Sequence, residues 1–349
     1  MRGKRQHGRF AFPGILRRML FLWLCILTAA VMAGCGKKDS AIPDPESTEA
    51  NSSGLVIGFS QLGSESAWRL GNTASMEKAA EEHGFSLVVD NGMQKQENQI
   101  AAIRSFIAYR VDVIVFAPIV EDGWANVLLE AKEAGIPVIM MDRVINVRDS
   151  DLYTAYIGPD HYQEGVNAAK FLQKKAQEME PGEDGKIRIA ELSGTEGSSP
   201  MISRYKGFHD LIDRDERFEV LETVSGDFLR SKGRECMQTL LEKYPDQIDV
   251  LYSHNDAMTL GAIEVLEKNG IKPGEDIVII SVDGEQAAVD LLKEGKINCV
   301  VECSPMLGEA VMDLAERIVS GKDYPRISRP EETCFTEYDD LSGLGPRGY

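Results

Sequence analysis

The chain has 349 residues, 43% hydrophobic and 27% charged. That leaves room for two globular domains with cores of their own, and it excludes whole-chain disorder and collagen-like repeats. A formal charge of −18, from 38 basic and 56 acidic side chains, repels a phosphate backbone and argues against a nucleic-acid partner.

The first segment differs from the rest. Residues 1–34 carry Arg2, Lys4, Arg5, Arg9, Arg17 and Arg18 and no acid. Arg17 and Arg18 run directly into an apolar stretch of 14 residues at 19–32. A membrane-spanning helix needs about 20 apolar residues, whereas the core of an export signal needs about 7–15. Residues 1–34 therefore read as a signal peptide. Its end, Met32-Ala33-Gly34-Cys35, resembles a bacterial lipobox, in which Cys35 becomes the lipidated N-terminus of the mature chain. Residues 35–53 hold no large apolar run and read as a flexible tether.

From residue 55 short apolar runs alternate with helical periods. Strands are predicted at 55–60, 85–90, 113–117 and 137–142, with helices at 68–83, 97–109 and 123–134. Gly84 and Gly135 stand where helix C-caps belong. After Asp160 the rhythm restarts with a helix at 162–177 and an acidic loop at 178–185. Strands at 187–192, 218–224, 250–253 and 277–282 then alternate with helices at 202–212, 231–243 and 257–269. A helix at 285–294, a strand at 296–302, a helix at 305–320 and an extended stretch at 333–338 complete the chain. Strands apolar throughout are those covered on both faces, so two successive series imply two doubly wound, parallel-sheet α/β domains of Rossmann-like type.

Chemistry-bearing motifs are missing. There is no G-x-G-x-x-G and no G-x-x-x-x-G-K-[ST], and the five histidines (7, 83, 161, 209 and 254) have no metal-ligand spacing. Gly58-Phe-Ser-Gln-Leu-Gly63 is one residue too long for a nucleophile elbow. No catalytic residue, cofactor or metal is expected. Beyond Cys25 and Cys35 the cysteines are Cys236, Cys299, Cys303 and Cys334, spaced as small buried thiols, with a Cys303–Cys334 bridge conceivable in an exported chain.

Polar residues instead gather after successive strands, at 61–69, 142–143, 194–199, 255–256 and 283–284. Such turns are where doubly wound sheets bind ligands. Asp and Glu accept hydrogen bonds, Arg donates in a fixed fork, Asn does both, and an aromatic ring covers C–H faces. That set suits a polyol. Trp124 reads as a packing residue, and Lys95, Glu97 and Asp256 as caps or solvated face residues.

Six fragments, in order, resemble the type I periplasmic sugar-binding proteins of ABC transporters, the ribose- and galactose-binding group. They are Val138-Ile-Met-Met-Asp142-Arg143, Arg204-Tyr-Lys-Gly207-Phe208, Ser225-Gly-Asp-Phe228-Leu-Arg-Ser-Lys-Gly233, His254-Asn255-Asp256-Ala-Met-Thr-Leu-Gly261-Ala262, Ser281-Val-Asp283-Gly284 and Val301-Glu302-Cys-Ser-Pro305. The resemblance spans about 55–338. The first loop, Gly58 to Arg69, together with Gln94–Gln99 and Ala117-Pro118, is more similar to the galactofuranose-binding subgroup than to the ribose-binding one.

The resemblance implies a ligand site formed by Asp142 and Arg143 from one lobe and Arg204, Asn255 and Asp283 from the other. Phe228 would cover one sugar face, with Trp68 and Arg69 closing the other side. Ser64 and Glu65 would line the first loop. Glu302 stands where the ribose group has Gln, and an acceptor-only carboxylate there argues against plain ribose. It also implies lobes of 54–159 plus 303–327 and of 160–302 plus 328–349, joined by three crossings near 158–160, 302–304 and 327–333. The expected function is capture of a monosaccharide by a monomeric lipoprotein, anchored at the cell membrane by its lipid only. Delivery would be to an ABC permease with a separate ATPase, without chemical change. The alternative is an extracellular sensor that presents the same ligand to a histidine kinase or chemoreceptor. An export signal occupies the place where a LacI-type repressor carries its DNA-binding domain.

Overall fold

The computed structural model describes residues 54–148 and 150–349, with side-chain detail at every described position except Ser150. The expected signal peptide, tether and lipidation site at Cys35 lie outside them. Among the described residues no helix is long and apolar enough to cross a membrane.

Two six-stranded sheets organise the described residues. The first contains β1 (Val56–Gln61), β2 (Ser86–Asn91), β3 (Val113–Phe116), β4 (Val138–Met141), β5 (Ala155–Ile157) and β11 (Ile327–Ser328), in the order β11-β5-β4-β3-β1-β2. The second contains β6 (Ile187–Ser193), β7 (Phe218–Ser225), β8 (Val250–Ser253), β9 (Val278–Asp283), β10 (Cys299–Glu302) and β12 (Cys334–Thr336), in the order β12-β10-β9-β8-β6-β7. All pairings are parallel except β10 with β12. The helices are α1 (Ala67–His83), α2 (Gln96–Tyr109), α3 (Ala125–Glu133), α4 (His161–Lys175), α5 (Ser199–Ile212), α6 (Arg230–Lys243), α7 (Asp256–Lys268), α8 (Gln286–Lys293) and α9 (Gly308–Val319).

Two strands went unpredicted, β5 and β11. At three and two residues they are too short to show a period, and they form only by pairing with β4 and with each other at the sheet edge. Ser328, expected in the second lobe, pairs with Ile157 in the first sheet.

The central strands β3, β4, β8 and β9 are buried along their whole length. Alternate residues serve opposite faces. Val113, Val115, Ile139 and Met141 pack under α1 and α9, while Ile114, Phe116, Val138 and Met140 pack under α2 and α3. In the second sheet Val250, Tyr252, Val278 and Ile280 face α4 and α5, and Leu251 and Ile279 face α6, α7 and α8. Each such aliphatic or aromatic side chain contributes about 1.5–3 kcal/mol on burial, which holds the strand ends at fixed positions. Trp124 is fully buried against Phe116, ring centroids 5.1 Å apart, as a packing residue.

The chain passes between the sheets three times, from β5 to α4, from β10 to α9 and from β11 to β12. The helix starts near the strand ends are capped. Ser66 Oγ accepts from the Arg69 amide at 3.2 Å, and Asn255 Oδ1 accepts from the Met258 amide at 3.0 Å. These caps satisfy amides that have no partner within the helix. They also orient Trp68, Arg69 and Asn255 at the mouth of each sheet.

Candidate functional site

A small cavity lies between the carboxyl ends of the two sheets. Glu65, Ser66, Trp68 and Arg69 reach it from the β1–α1 turn, and Asp142 and Arg143 from the end of β4. From the other side come His161 and Arg204 on α4 and α5, Phe228 before α6, Asn255 before α7, and Asp283 closing β9. Pro200 and Cys303 complete the lining.

Nine of the eleven sequence-predicted binding residues thus meet around one cavity. Ser64 and Glu302 do not line it. Ser64 is exposed and accepts from Asn91 Nδ2 at 2.7 Å. Glu302 is drawn away by Arg347, which pairs with Oε1, while Oε2 accepts from the Thr333 amide at 2.8 Å. Four lining residues were missed: Ser66, His161, Pro200 and Cys303. His161 and Cys303 stand directly at crossings between the sheets, and that adjacency was the available signal. Asp256, read as a cap or surface residue, is fully buried and accepts from the Gly284 and Glu285 amides at 2.7 Å each, so it supports the β9 turn.

Charge is dense on the first-sheet side. Asp142 Oδ2 is 2.9 Å from Arg69 Nη2 and 3.8 Å from Arg143 Nε, and Oδ1 is 3.6 Å from His161 Nε2. Arg69 Nε donates to Glu65 Oε1 at 3.2 Å, and Arg143 Nη1 donates to the Ile119 carbonyl at 3.0 Å. Burial alone would raise the Asp142 carboxyl, but Arg69, His161 and Arg143 together hold it well below the usual carboxylate range. Burial, with Arg69 beside it, brings the Arg143 guanidinium down to about 10.

On the other side Arg204 Nε donates to Glu164 Oε2 at 2.6 Å, Nη1 donates to the His254 carbonyl, and Nη2 lies 3.4 Å from Asp283 Oδ1. Burial raises the Asp283 carboxyl well above its ordinary value. Arg204 opposes that rise, and Asp256 and Glu285 add to it. Asp142 is therefore an ionised acceptor, while the Asp283 carboxyl gives up its proton less readily.

Phe228 supplies the aromatic wall. Its ring packs under the Arg143 guanidinium, 5.2 Å away, and its carbonyl accepts from Asn255 Nδ2 at 3.2 Å. A β-carbon at Gly194 would come within 1.9 Å of the ring, so only glycine leaves Phe228 its place. Trp68 spans the two sheets: its indole Nε1 donates to the Cys303 carbonyl at 2.5 Å and its amide donates to Glu285 Oε1 at 3.0 Å.

Several buried polar atoms at the cavity have no hydrogen-bond partner, namely Glu65 Oε2, Arg69 Nη1, Arg143 Nε and His161 Nε2. Buried polar groups are ordinarily satisfied, and leaving one unpaired costs about 1–3 kcal/mol. Donors and acceptors are both represented, which fits a ligand with several hydroxyls. Asp142, His161 and Cys303 place ligating atoms within 4.8 Å of one another. Two guanidinium groups flank that trio, however, and a cation there would be repelled.

Known proteins resemble this chain over most of its length. Residues 57–323 match the family model described as periplasmic binding protein domain. The galactofuranose-binding protein YtfQ of Escherichia coli (strain K12) is 40% identical over 317 residues, covering 89% of this chain and 98% of that protein. A protein from Mycobacterium smegmatis, solved in complex with β-D-fucofuranose, superposes with a TM-score of 0.78 at 41% identity over 81% of this chain and 91% of its own. The periplasmic component of the arabinose ABC transporter from Shewanella sp. ANA-3, bound to α- and β-L-arabinofuranose, gives 0.77 at 39% identity over 81% and 92%.

Proposed function

The chain belongs to the periplasmic binding protein family, and from that premise we propose that it captures a monosaccharide in its furanose form between two lobes and delivers it unchanged to an ABC permease. The single observation that carries this reading is the set of buried donors and acceptors, without hydrogen-bond partners in the protein, that line one cavity between the two sheets. The relatives described above are binding proteins, and this chain is a binding protein rather than an enzyme. Their bound sugars are five-membered rings, which supports the same ring form here.

In this reading Asp142 accepts from ring hydroxyls while Arg69, Arg143 and Arg204 donate to them. Asn255 can do both, Asp283 offers a further carboxyl oxygen from the second sheet, and Phe228 covers a C–H face. Hydrogen bonds to charged groups contribute about 1.5–3 kcal/mol each, so three or four account for tight capture. Contacts from both sides favour the closed arrangement of lobes 54–159 plus 303–327 and 160–302 plus 328–349, because the ligand bridges them only when they meet. Export, a lipid on Cys35 and a tether at 35–53 would hold a monomer at the outer face of the membrane, beside its permease and separate ATPase.

Calorimetric titration with galactofuranose, L-arabinose, D-fucose, ribose, glucose and myo-inositol tests the reading. The expected result is saturable one-to-one binding of a furanose-populating sugar, recovered unmodified. Absence of binding by every sugar, or recovery of a changed sugar, overturns it.

A further inference from the structure

We propose that Cys299 and Cys334 are a disulfide-forming pair that cross-links β10 to β12 beside the second and third crossings between the lobes. Their Sγ atoms lie 3.5 Å apart, thiol against thiol. The antiparallel register, with Cys299 opposite Thr336 and Val301 opposite Cys334, sets the two cysteines diagonally on one face of the sheet. Both belong to the apolar layer that also holds Phe171 and Leu172. Closing the remaining gap to a bond of about 2.05 Å asks for side-chain rotation and a small strand adjustment.

The other two cysteines among the described residues are engaged elsewhere. Cys303, conceivable from spacing as the partner of Cys334, lies buried in the ligand cavity. Cys236 contacts the Ser225 carbonyl at 3.5 Å. The two strands continue into linked crossings, where the Glu302 amide donates to the Thr333 carbonyl at 2.8 Å. A covalent tie at 299–334 would therefore anchor both connectors at the same point. An exported chain meets an oxidising compartment, where such a pair is oxidised and persists.

The two thiols are not equivalent. Cys334 is partly exposed, and the thiol of Cys299 lowers its pKa, whereas burial raises that of Cys299 well above the ordinary value. Cys334 is thus the attacking group. With oxidised glutathione as oxidant, its thiolate displaces one glutathione thiolate and forms a mixed disulfide. Cys299 gives up its proton, attacks Cys334 Sγ and displaces the second glutathione. Two protein thiols are oxidised, one glutathione disulfide is reduced to two thiols, and the protons end on glutathione.

The proposal is independent of which sugar binds. The full chain, purified under reducing conditions, is equilibrated with oxidised glutathione at neutral pH, unfolded in iodoacetamide and mapped by peptide mass spectrometry without reduction. The expected result is one intramolecular Cys299–Cys334 cross-link, removed by dithiothreitol, kept in Cys303→Ser and absent in Cys334→Ser. Alkylation of both cysteines, a bond from either to Cys236 or Cys303, or a stable glutathione adduct on Cys334 without closure would each overturn it.

Discussion

Asp142 and Asp283 end the corresponding third strands of the two sheets, β4 and β9, face one cavity from opposite sides, and titrate in opposite directions. Both hold a positive φ, 67° and 121°, a conformation that non-glycine residues adopt at a cost of about 1–3 kcal/mol and that gathers at ligand sites. The neighbours decide the difference. Asp142 sits among Arg69, Arg143 and His161, whereas Asp283 shares Arg204 with Glu164 and has Asp256 and Glu285 close by. One fold position, used twice, thus yields two buried carboxyls that their neighbours shift in opposite directions.

Arg143→Ala is expected to weaken sugar binding by at least about 100-fold, the loss of one or two charge-assisted hydrogen bonds. The sugar-free melting temperature should change little, because Arg143 is itself buried beside a second cation, Arg69. Calorimetry paired with thermal unfolding separates the two effects. A large drop in stability with normal affinity would make Arg143 a structural residue only.

Asp256 contributes a pH dependence of stability. Burial, with Glu285 adjacent, raises its pKa to about 8, against about 3.9 in the unfolded chain. Between those values the folded state binds more protons, so this contribution is fully present below about pH 4 and is lost as pH rises toward 8. Asp256→Asn should flatten the fall of the sugar-free melting temperature between pH 5 and 8. An unchanged slope would contradict the assignment.

Gly194→Ala places a methyl group in the Phe228 ring. Overpacking of this kind costs about 1–3 kcal/mol. Displacement of the ring should weaken sugar binding by about tenfold or more, and a titration at wild-type affinity would show that Phe228 is not the sugar platform.

Trp68→Phe keeps a ring but removes the indole donor to the Cys303 carbonyl. A hydrogen bond of this kind contributes about 0.5–1.5 kcal/mol, so affinity should fall about 2- to 13-fold. Small-angle scattering without sugar should show a more open molecule than wild type. Identical scattering and affinity would mean that this contact does not favour closure.

Cys35→Ser should move the protein from the membrane fraction to the soluble one after cell fractionation. Retention of the variant with membranes would rule out lipid anchoring through that residue.

Much of this protein was legible along the chain, because burial of parallel strands on both faces writes continuous apolar runs at 113–116, 138–141 and 278–282, and polar residues follow at the strand ends where ligands bind. The six fragments and the first loop led from there to the family and to nine residues of the cavity. The three-residue β5 and two-residue β11 carried no period. Whether Glu302 reached the ligand or Arg347, whether His161 and Cys303 turned toward the cavity, and which thiol faced Cys334 depended on side chains far apart in the chain. Periodicity reports only which face of an element is buried. Coulomb fields and hydrogen bonds act over a few ångströms of space, so the opposite titration of Asp142 and Asp283 existed only once folding had chosen their neighbours.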